Sequence, residues 1–229
     1  MKKIKTLFVQ FDDSLASWQV PAFRGAVIEK VGRENLLFHQ HNSDNGLIYQ
    51  YPVIQYKSIQ QKPSLLCIGE GVDEIHKFFG LRNWDVTING EKHQLKIHRL
   101  DLNNFTINIW EKQFHYSIRN WLALNAENYQ RYQSTGSLTE RVALLERLLK
   151  GNILSFAKGI EWRIEREIKL QIQELKGEKV IRYKGIPLIA FDVYFTCNIF
   201  LPNYLGLGKS ASHGFGIIRQ FREPNNQHQ

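Results

Sequence analysis

Two histidines one residue apart, His39 and His41 in the segment HQH, open a polar stretch, residues 39–46 (HQHNSDNG), with the Asn, Ser, Asp and Gly content of a loop. In a loop both rings can face one cleft. Paired imidazoles suit cleavage of a phosphodiester by its own neighbouring hydroxyl, as in RNA. That reaction needs a base for the 2′-OH, an acid for the departing 5′ oxygen and a positive group for the charged phosphorane. Histidine, with an ordinary pKa of about 6.5, serves as base or acid at neutral pH. Lys30, at the end of a predicted helix, can supply the charge. Tyr49 and Tyr51 follow on one face of the next predicted strand, and either hydroxyl can hold a reacting oxygen. The residues leave open which histidine is base and which tyrosine contributes. A His-x-His pair also ligates zinc, but no Cys or carboxylate cluster stands ready to complete such a site. No metal and no organic cofactor is expected. Asp12 and Asp13 read as the turn after the first strand, and His76, His98 and His115 as structural.

A second concentration of chemistry lies near the C-terminus, in LGLGKSASHGFG (205–216). Its four glycines, Gly206, Gly208, Gly214 and Gly216, permit positive φ angles and close approach of backbone N–H groups to an anion. Lys209 adds charge, Ser210 and Ser212 add hydroxyls, and His213 can touch a phosphate. The context is neither a Rossmann fingerprint nor a P-loop, because no early strand precedes it and no helix is due to follow. Lys150, Lys158, Arg163 and Arg166 flank Trp162 in GNILSFAKGIEWRIER, a mixture suited to tracking a nucleic-acid backbone with one stacked base. Glu161, Glu165 and Glu167 dilute that charge.

The elements that must position these residues follow from periodicity. Residues 3–11 read as a strand, and a helix starts near Pro21 and stops at Gly32, with Phe23, Val27 and Ile28 on its apolar side. Residues 47–59 read as a strand interrupted at Pro52, 64–69 as another, and 72–80 as a short helix. Strands or a hairpin fill 84–110. The order β-α-β-β-α-β is that of a ferredoxin-like (RRM-like) domain. The second half repeats it: a strand over 115–125, a helix opened by Ser137 and Glu140 in a capping-box pattern and bent or divided at Gly151, then strands at 166–175, 179–183, 186–202 and 214–221. The expected fold is α+β, two tandem ferredoxin-like domains over residues 1–112 and 113–229, the histidines in the first and the glycine-rich loop in the second.

The 229 residues are 43% hydrophobic, enough to build a core and to exclude a disordered chain. Lys and Arg number 30 against 22 Asp and Glu, a net charge of +8 that points to a polyanionic partner. The excess is uneven: residues 1–114 carry 14 basic and 12 acidic side chains, residues 115–229 carry 16 and 10. The 2 cysteines, Cys67 and Cys197, lie in apolar runs and read as small hydrophobes. With no signal peptide and no apolar run near the roughly 20 residues that span a bilayer, the expectation is a reduced, cytoplasmic protein away from membranes.

GLGKSASHGFG, just ahead of a final strand in a basic chain, resembles the glycine-rich loop of RAMP-superfamily proteins. More narrowly, it resembles that of CRISPR-associated endoribonucleases that cut precursor CRISPR RNA within its repeats. FRGAVIEK (23–30) with the HQH after it, and GNILSFAKGIEW (151–162), are similar to stretches of the same family. The resemblance implies two ferredoxin-like domains and a catalytic set of His39, His41, Lys30 and Tyr49, with Tyr51 aligning almost as well. It implies RNA contacts at Gly206, Gly208, Lys209, Ser210, Ser212, His213 and Gly214, joined by Asn152 and Lys158. The chemistry it implies is metal-independent attack of the 2′-OH on the adjacent phosphate, leaving a 5′-OH and a cyclic or 3′ phosphate. The partners it implies are CRISPR repeat RNA and crRNA; further effector subunits and a second copy of the chain stay open. A non-catalytic RAMP subunit that binds crRNA is the rival reading. A general RRM protein fits less well, since GFGIIRQF only faintly echoes an RNP1 strand.

Overall fold

Strand β1 (Lys2–Phe11) becomes wholly apolar after Thr6 except for Gln10, and its second half is buried, as a strand packed on both faces requires. In the computed structural model, which describes residues 1–39 and 50–221, β1 lies inside an antiparallel sheet. Its neighbours are β3 (Lys62–Ile68) and β6 (Ile97–Ile107), and β2 (Ile54–Ile59) pairs with β3, giving the order β2-β3-β1-β6. Helix α1 (Val20–Val31), with Pro21 in its first turn and Gly32 at φ 95° just past its end, lays Phe23, Val27 and Ile28 on this sheet. A single turn, α2 (Leu36–His39), follows. The second crossover is two short helices, α3 (Glu70–Glu74) and α4 (His76–Phe79), trailed by a small hairpin of β4 (Val86–Ile88) and β5 (Glu91–His93).

The second sheet has the same plan. Strands β7 (Ile109–Trp121), β8 (Leu170–Tyr183), β9 (Ile186–Ile199) and β10 (Ile217–Phe221) stand in the order β10-β7-β9-β8. Helices α5 (Ala126–Ser134) and α6 (Leu138–Gly159) fill the first crossover. The second crossover holds the glycine-rich loop and one 3-10 turn, Ala211–His213, in the place a ferredoxin-like domain gives to a helix. The fold is therefore α+β, two tandem ferredoxin-like domains, as expected.

Several local expectations change. Gly151 neither bends nor divides α6: Leu145, Leu149, Ile153 and Phe156, all inaccessible, seat the helix on both sides of it, and tertiary packing outweighs the roughly 1 kcal/mol a glycine costs. Ser137 occupies the N-cap position but its side chain makes no capping bond. Helix α5, unforeseen, starts where Asn125 Oδ1 accepts from Asn128 N at 2.7 Å. The expected break at Gly177 is absorbed by register shifts within one continuous β8. The two sheets separate at Asn108, between β6 and β7, and residue 112 falls within β7; an almost unbroken strand pattern hides that joint. Trp162 is core, not a stacking platform, because Ile160 and Trp162 alternate inward with exposed Glu161 and Arg163.

The domains are tied across the outer face of β2. Gly206 N donates to Gln55 Oε1 at 2.8 Å, and Tyr51 Oη donates to the Gly206 carbonyl at 2.7 Å. Gln55 Nε2 donates to Tyr51 Oη at 2.8 Å, closing the circuit. The Tyr51 ring packs edge-on against Phe156 of α6, and a Cβ at Gly159 would lie 2.4 Å from Tyr51 Cβ, so only glycine fits there. Lys57 completes the patch: fully buried, it donates from Nζ to Gln55 Oε1 at 3.0 Å.

Burial pushes the Lys57 amine down to about 7 from 10.5. Between those values the unfolded chain binds the extra proton, so this residue makes stability rise with pH across that window, and below it the full penalty applies. Lys57→Met should raise the thermal midpoint at and below neutral pH and flatten its climb from about pH 7 to 10. A midpoint whose pH dependence matches the unmodified protein would sink this reading of Lys57.

Candidate nucleic-acid interface and active site

His39 ends the turn α2 instead of opening a loop. The fully buried Phe38 pulls that turn onto the core of the first domain, and Phe38 N donates to the Asn35 carbonyl at 3.1 Å. The His39 ring places Nε2 2.5 Å from the Arg33 carbonyl. A carbonyl can only accept, so Nε2 carries the proton and Nδ1 is the basic atom of the neutral ring. His41 and Tyr49 lie outside the described residues.

The last carbonyls of this turn are both capped by side chains. Tyr56 Oη, from β2, donates to the Phe38 carbonyl at 3.2 Å, and Arg24 Nη2, from α1, donates to the His39 carbonyl at 2.7 Å. The Arg24 guanidinium lies 5.9 Å from the Tyr56 ring centre, while its Nε is buried without a partner. Desolvation holds its pKa below the ordinary value, and Tyr56 and Tyr183 partly restore it. Lys30, farther along α1, donates from Nζ to Asn83 Oδ1 at 2.7 Å, ahead of β4. Tyr51, the alternative to Tyr49, spends its hydroxyl on Gly206, and burial raises its pKa.

The glycine-rich loop divides into a packed stem and an accessible crest. Gly206 is buried with both backbone groups bonded, which corrects its expected place as an RNA contact: it joins the domains. Gly208, at φ 87°, lies so close to Trp121 that a Cβ would stand 2.7 Å from Nε1. It is likewise a packing glycine. The same Nε1 donates to Asn152 Oδ1 at 2.9 Å, so that side chain supports the stem. At the crest, Lys209 is exposed, its backbone N bonded to the Leu122 carbonyl, and Ser210 turns the chain at φ 59°. Ser212 and His213 are half-buried, with Ser212 Oγ 3.2 Å from His213 Nδ1. Gly214, at φ 83°, lets the crest rest on Val20 of α1 and the Tyr56 carbonyl.

Tyr183, at the end of β8, escaped sequence reasoning. Its ring meets His213 at 5.8 Å and Phe215 at 5.1 Å, and its buried hydroxyl neighbours Ser210 and Arg24. Burial raises its pKa, with Ser210 and Arg24 opposing that rise. Nothing in IRYKG marks this tyrosine; the hairpin of β8 and β9 carries it to the site. Arg24 stood within FRGAVIEK without a role. The crest rests on α1 and β2 through Gly214, Val20 and Tyr56, and Tyr56 also caps the His39 turn, with Arg24 and Tyr183 close enough to influence each other electrostatically.

Lys158 lies elsewhere, at a cleft of about 490 Å³ between the domains that Lys2, Lys3, Lys5 and Glu161 also line. Among the described residues no group of three or more His, Cys, Asp or Glu side chains gathers as a metal site would. Cys67 and Cys197 are buried thiols, the second pushed up to about 12 by burial. No helix among the described residues is long and apolar enough to cross a membrane.

Comparison with known proteins agrees with this architecture along its whole length. The model of the Cas6b N-terminal domain matches residues 2–106 and that of the Cas6b C-terminal domain residues 108–221. A solved structure described as Cas6b is 27% identical, with a TM-score of 0.87 over 96% of this chain and 100% of its own. A second, described as the CRISPR RNA processing endoribonuclease Cas6b, shares the fold at 24% identity and a TM-score of 0.73, with the same coverage. So does Csf5, described as a CRISPR-Cas type IV Cas6 crRNA endonuclease, at 13% identity and a TM-score of 0.56 over 96% of this chain and 100% of its own. The uncharacterised protein MJ0978 of Methanocaldococcus jannaschii is 38% identical over 103 residues, 45% of this chain and 69% of that protein. Its two domains matched in order, the chain belongs to the Cas6b family.

Proposed function

We propose that this protein is an endoribonuclease that binds CRISPR repeat RNA and cuts it, without a metal, to give crRNA. The observation that carries this reading is that Tyr56 caps the His39 turn of one domain while its own carbonyl lies under Gly214 at the glycine-rich crest of the other, with Tyr183 and His213 packed beside it. RNA lying along the crest would present a phosphate beside a histidine. The net charge of +8, concentrated in the second half, supports a polyanionic ligand, and membership of the family supports repeat RNA as its identity. Two buried free thiols and a transcript as substrate fit the cytoplasm.

In this mechanism His39, with the proton on Nε2 and the lone pair on Nδ1, takes the proton of the 2′-OH. The freed oxygen attacks the adjacent phosphorus. His41 then protonates the departing 5′ oxygen, so that the products are a 5′-OH and a 2′,3′-cyclic phosphate, which water can open to a 3′ phosphate. Lys30 answers the charge that builds on the phosphorane, and Tyr49 holds a reacting oxygen. Lys209, Ser210, Ser212, His213 and the Gly214 backbone hold flanking phosphates, and Asn152 and Lys158 extend the RNA surface along α6. Binding and chemistry thus rest on different residues.

Cleavage and binding measurements test this division. Replacing both His39 and His41 by Ala should lower the cleavage rate by at least about 10²–10⁴-fold, the range of a single acid–base group, and leave RNA affinity nearly intact. RNA with a 2′-deoxy sugar at the cut should bind equally well and resist cutting, and excess EDTA should leave the unmodified protein's rate unchanged. Cleavage by the double variant at the original rate, or a rate that EDTA abolishes and a divalent ion restores, would refute the mechanism. Lys209→Ala should weaken binding and reduce the slope of log affinity against log salt by about 0.7, one single-stranded phosphate's share. An unchanged slope would remove Lys209 from the interface.

A further inference from the structure

We infer that Arg24 is a positioning residue that fixes the His39 turn against the glycine-rich loop, and that the Tyr183 hydroxyl is the part of the second domain it works through. This rests on the reading of His39 as an acid–base group. Four observations lead to it. First, α2 is one turn long and cannot hold its own geometry by internal hydrogen bonds; its last carbonyl is held by Arg24 Nη2 at 2.7 Å. Second, Arg24 faces two phenols and a carbonyl, with no carboxylate beside it among the described residues, so its position is not that of an ordinary ion-pair partner. Third, its Nε is buried with no hydrogen-bond partner among the described residues. Fourth, the buried Tyr183 hydroxyl is near enough to Arg24 and Ser210 for both to act on it electrostatically, and its ring lies 5.8 Å from that of His213.

A half-buried guanidinium with no counter-charge among the described residues is costly to keep unless it does something a neutral group cannot. Here it bridges: one nitrogen holds the His39 carbonyl, and the guanidinium lies over the Tyr56 ring, whose hydroxyl holds the preceding carbonyl. Lysine at this place would retain the charge but lose the planar fork that spans both contacts. A phosphate arriving at Ser210 and His213 would draw Tyr183 and Arg24 together. Occupation of the loop would then set the histidine in place for attack. Arg24 therefore contributes to the rate of cutting and little to ground-state affinity.

The test uses the full chain, a short repeat RNA and its 2′-deoxy counterpart. Single-turnover rates at saturating protein are compared with affinities for the uncleavable RNA, with His39→Ala as reference. Arg24→Lys should bind within about twofold of the unmodified protein and cut about 10²-fold more slowly, the size of effect that a small misplacement of a reacting group produces. Tyr183→Phe, which keeps the ring on His213 and removes the hydroxyl beside Arg24, should cut about fivefold more slowly, the low end of a coupling between two sites, and it carries the test if Arg24→Lys misfolds. The combined variant should be no slower than Arg24→Lys alone, because on this inference Tyr183 acts through Arg24. A slow His39→Ala beside a fast Arg24→Lys would overturn this inference alone, as would additive losses or an affinity that falls in step with the rate. A fast His39→Ala would overturn the acid–base reading, and with it this one. Should the unmodified protein fail to cut, the imidazole nitrogen resonances of His39 decide: Arg24→Lys should shift them, and unchanged signals would refute the inference.

Discussion

The arrangement of both domains depends on one carboxamide. Gln55 accepts from the Gly206 amide and the Lys57 amine, and donates to the Tyr51 hydroxyl, which in turn bonds the Gly206 carbonyl. All of these groups are withdrawn from water, where each unmet donor or acceptor would cost about 1–3 kcal/mol. The circuit therefore holds one peptide of the second domain at one place on the first. Everything farther along the glycine-rich loop is measured from that peptide. The fully buried Lys57 amine is the circuit's least comfortable member, for it gives one proton to Gln55 and is pushed toward neutrality.

From that anchor the loop does what a helix in the same crossover could not. A second helix would have covered the sheet with side chains and turned its polar backbone inward. The loop instead threads Gly208 beneath Trp121 and Gly216 past the Leu207 carbonyl, where a Cβ would stand at 1.9 Å. Those contacts spend the glycines on packing and leave Lys209, Ser210, Ser212 and His213 at the crest. A rigid stem and a polar crest are what a surface needs in order to hold phosphates at fixed spacing. Asn152, on α6, belongs to the stem through its bond to Trp121.

The proposed active site is built on a comparably small device. A single helical turn, pinned by the burial of Phe38 and by side chains from α1 and β2, carries His39. The side chains that cap its carbonyls come from outside the turn. Its position depends on Arg24 and Tyr56, which hold its last two carbonyls. Histidine chemistry and phosphate binding can then be coupled without any residue serving both.

Much of this was legible in the amino-acid order. Period-two and period-3.6 patterns located both ferredoxin-like repeats, Pro21 and Gly32 bounded α1, and His39, Lys209 and His213 stood out by type and spacing. Local pattern could not tell that Gly151 passes unbroken through α6, since helix continuity there is set by what Leu149 and Ile153 pack against. Nor could it see that Trp162 turns inward among charges, that Gly206 and Gly208 are held in packing, or that β6 passes into β7 at Asn108. Arg24 and Tyr183 are 159 positions apart in a chain of 229; the first sits in FRGAVIEK with nothing to mark its role, and the second in no motif at all. Residue type and spacing determine which side chains can do chemistry and which elements form, because those depend on neighbours within a turn or two. Which of them meet was decided by the docking of β2 onto the glycine-rich loop, because desolvated hydrogen bonds between distant peptides exist only once both domains have folded.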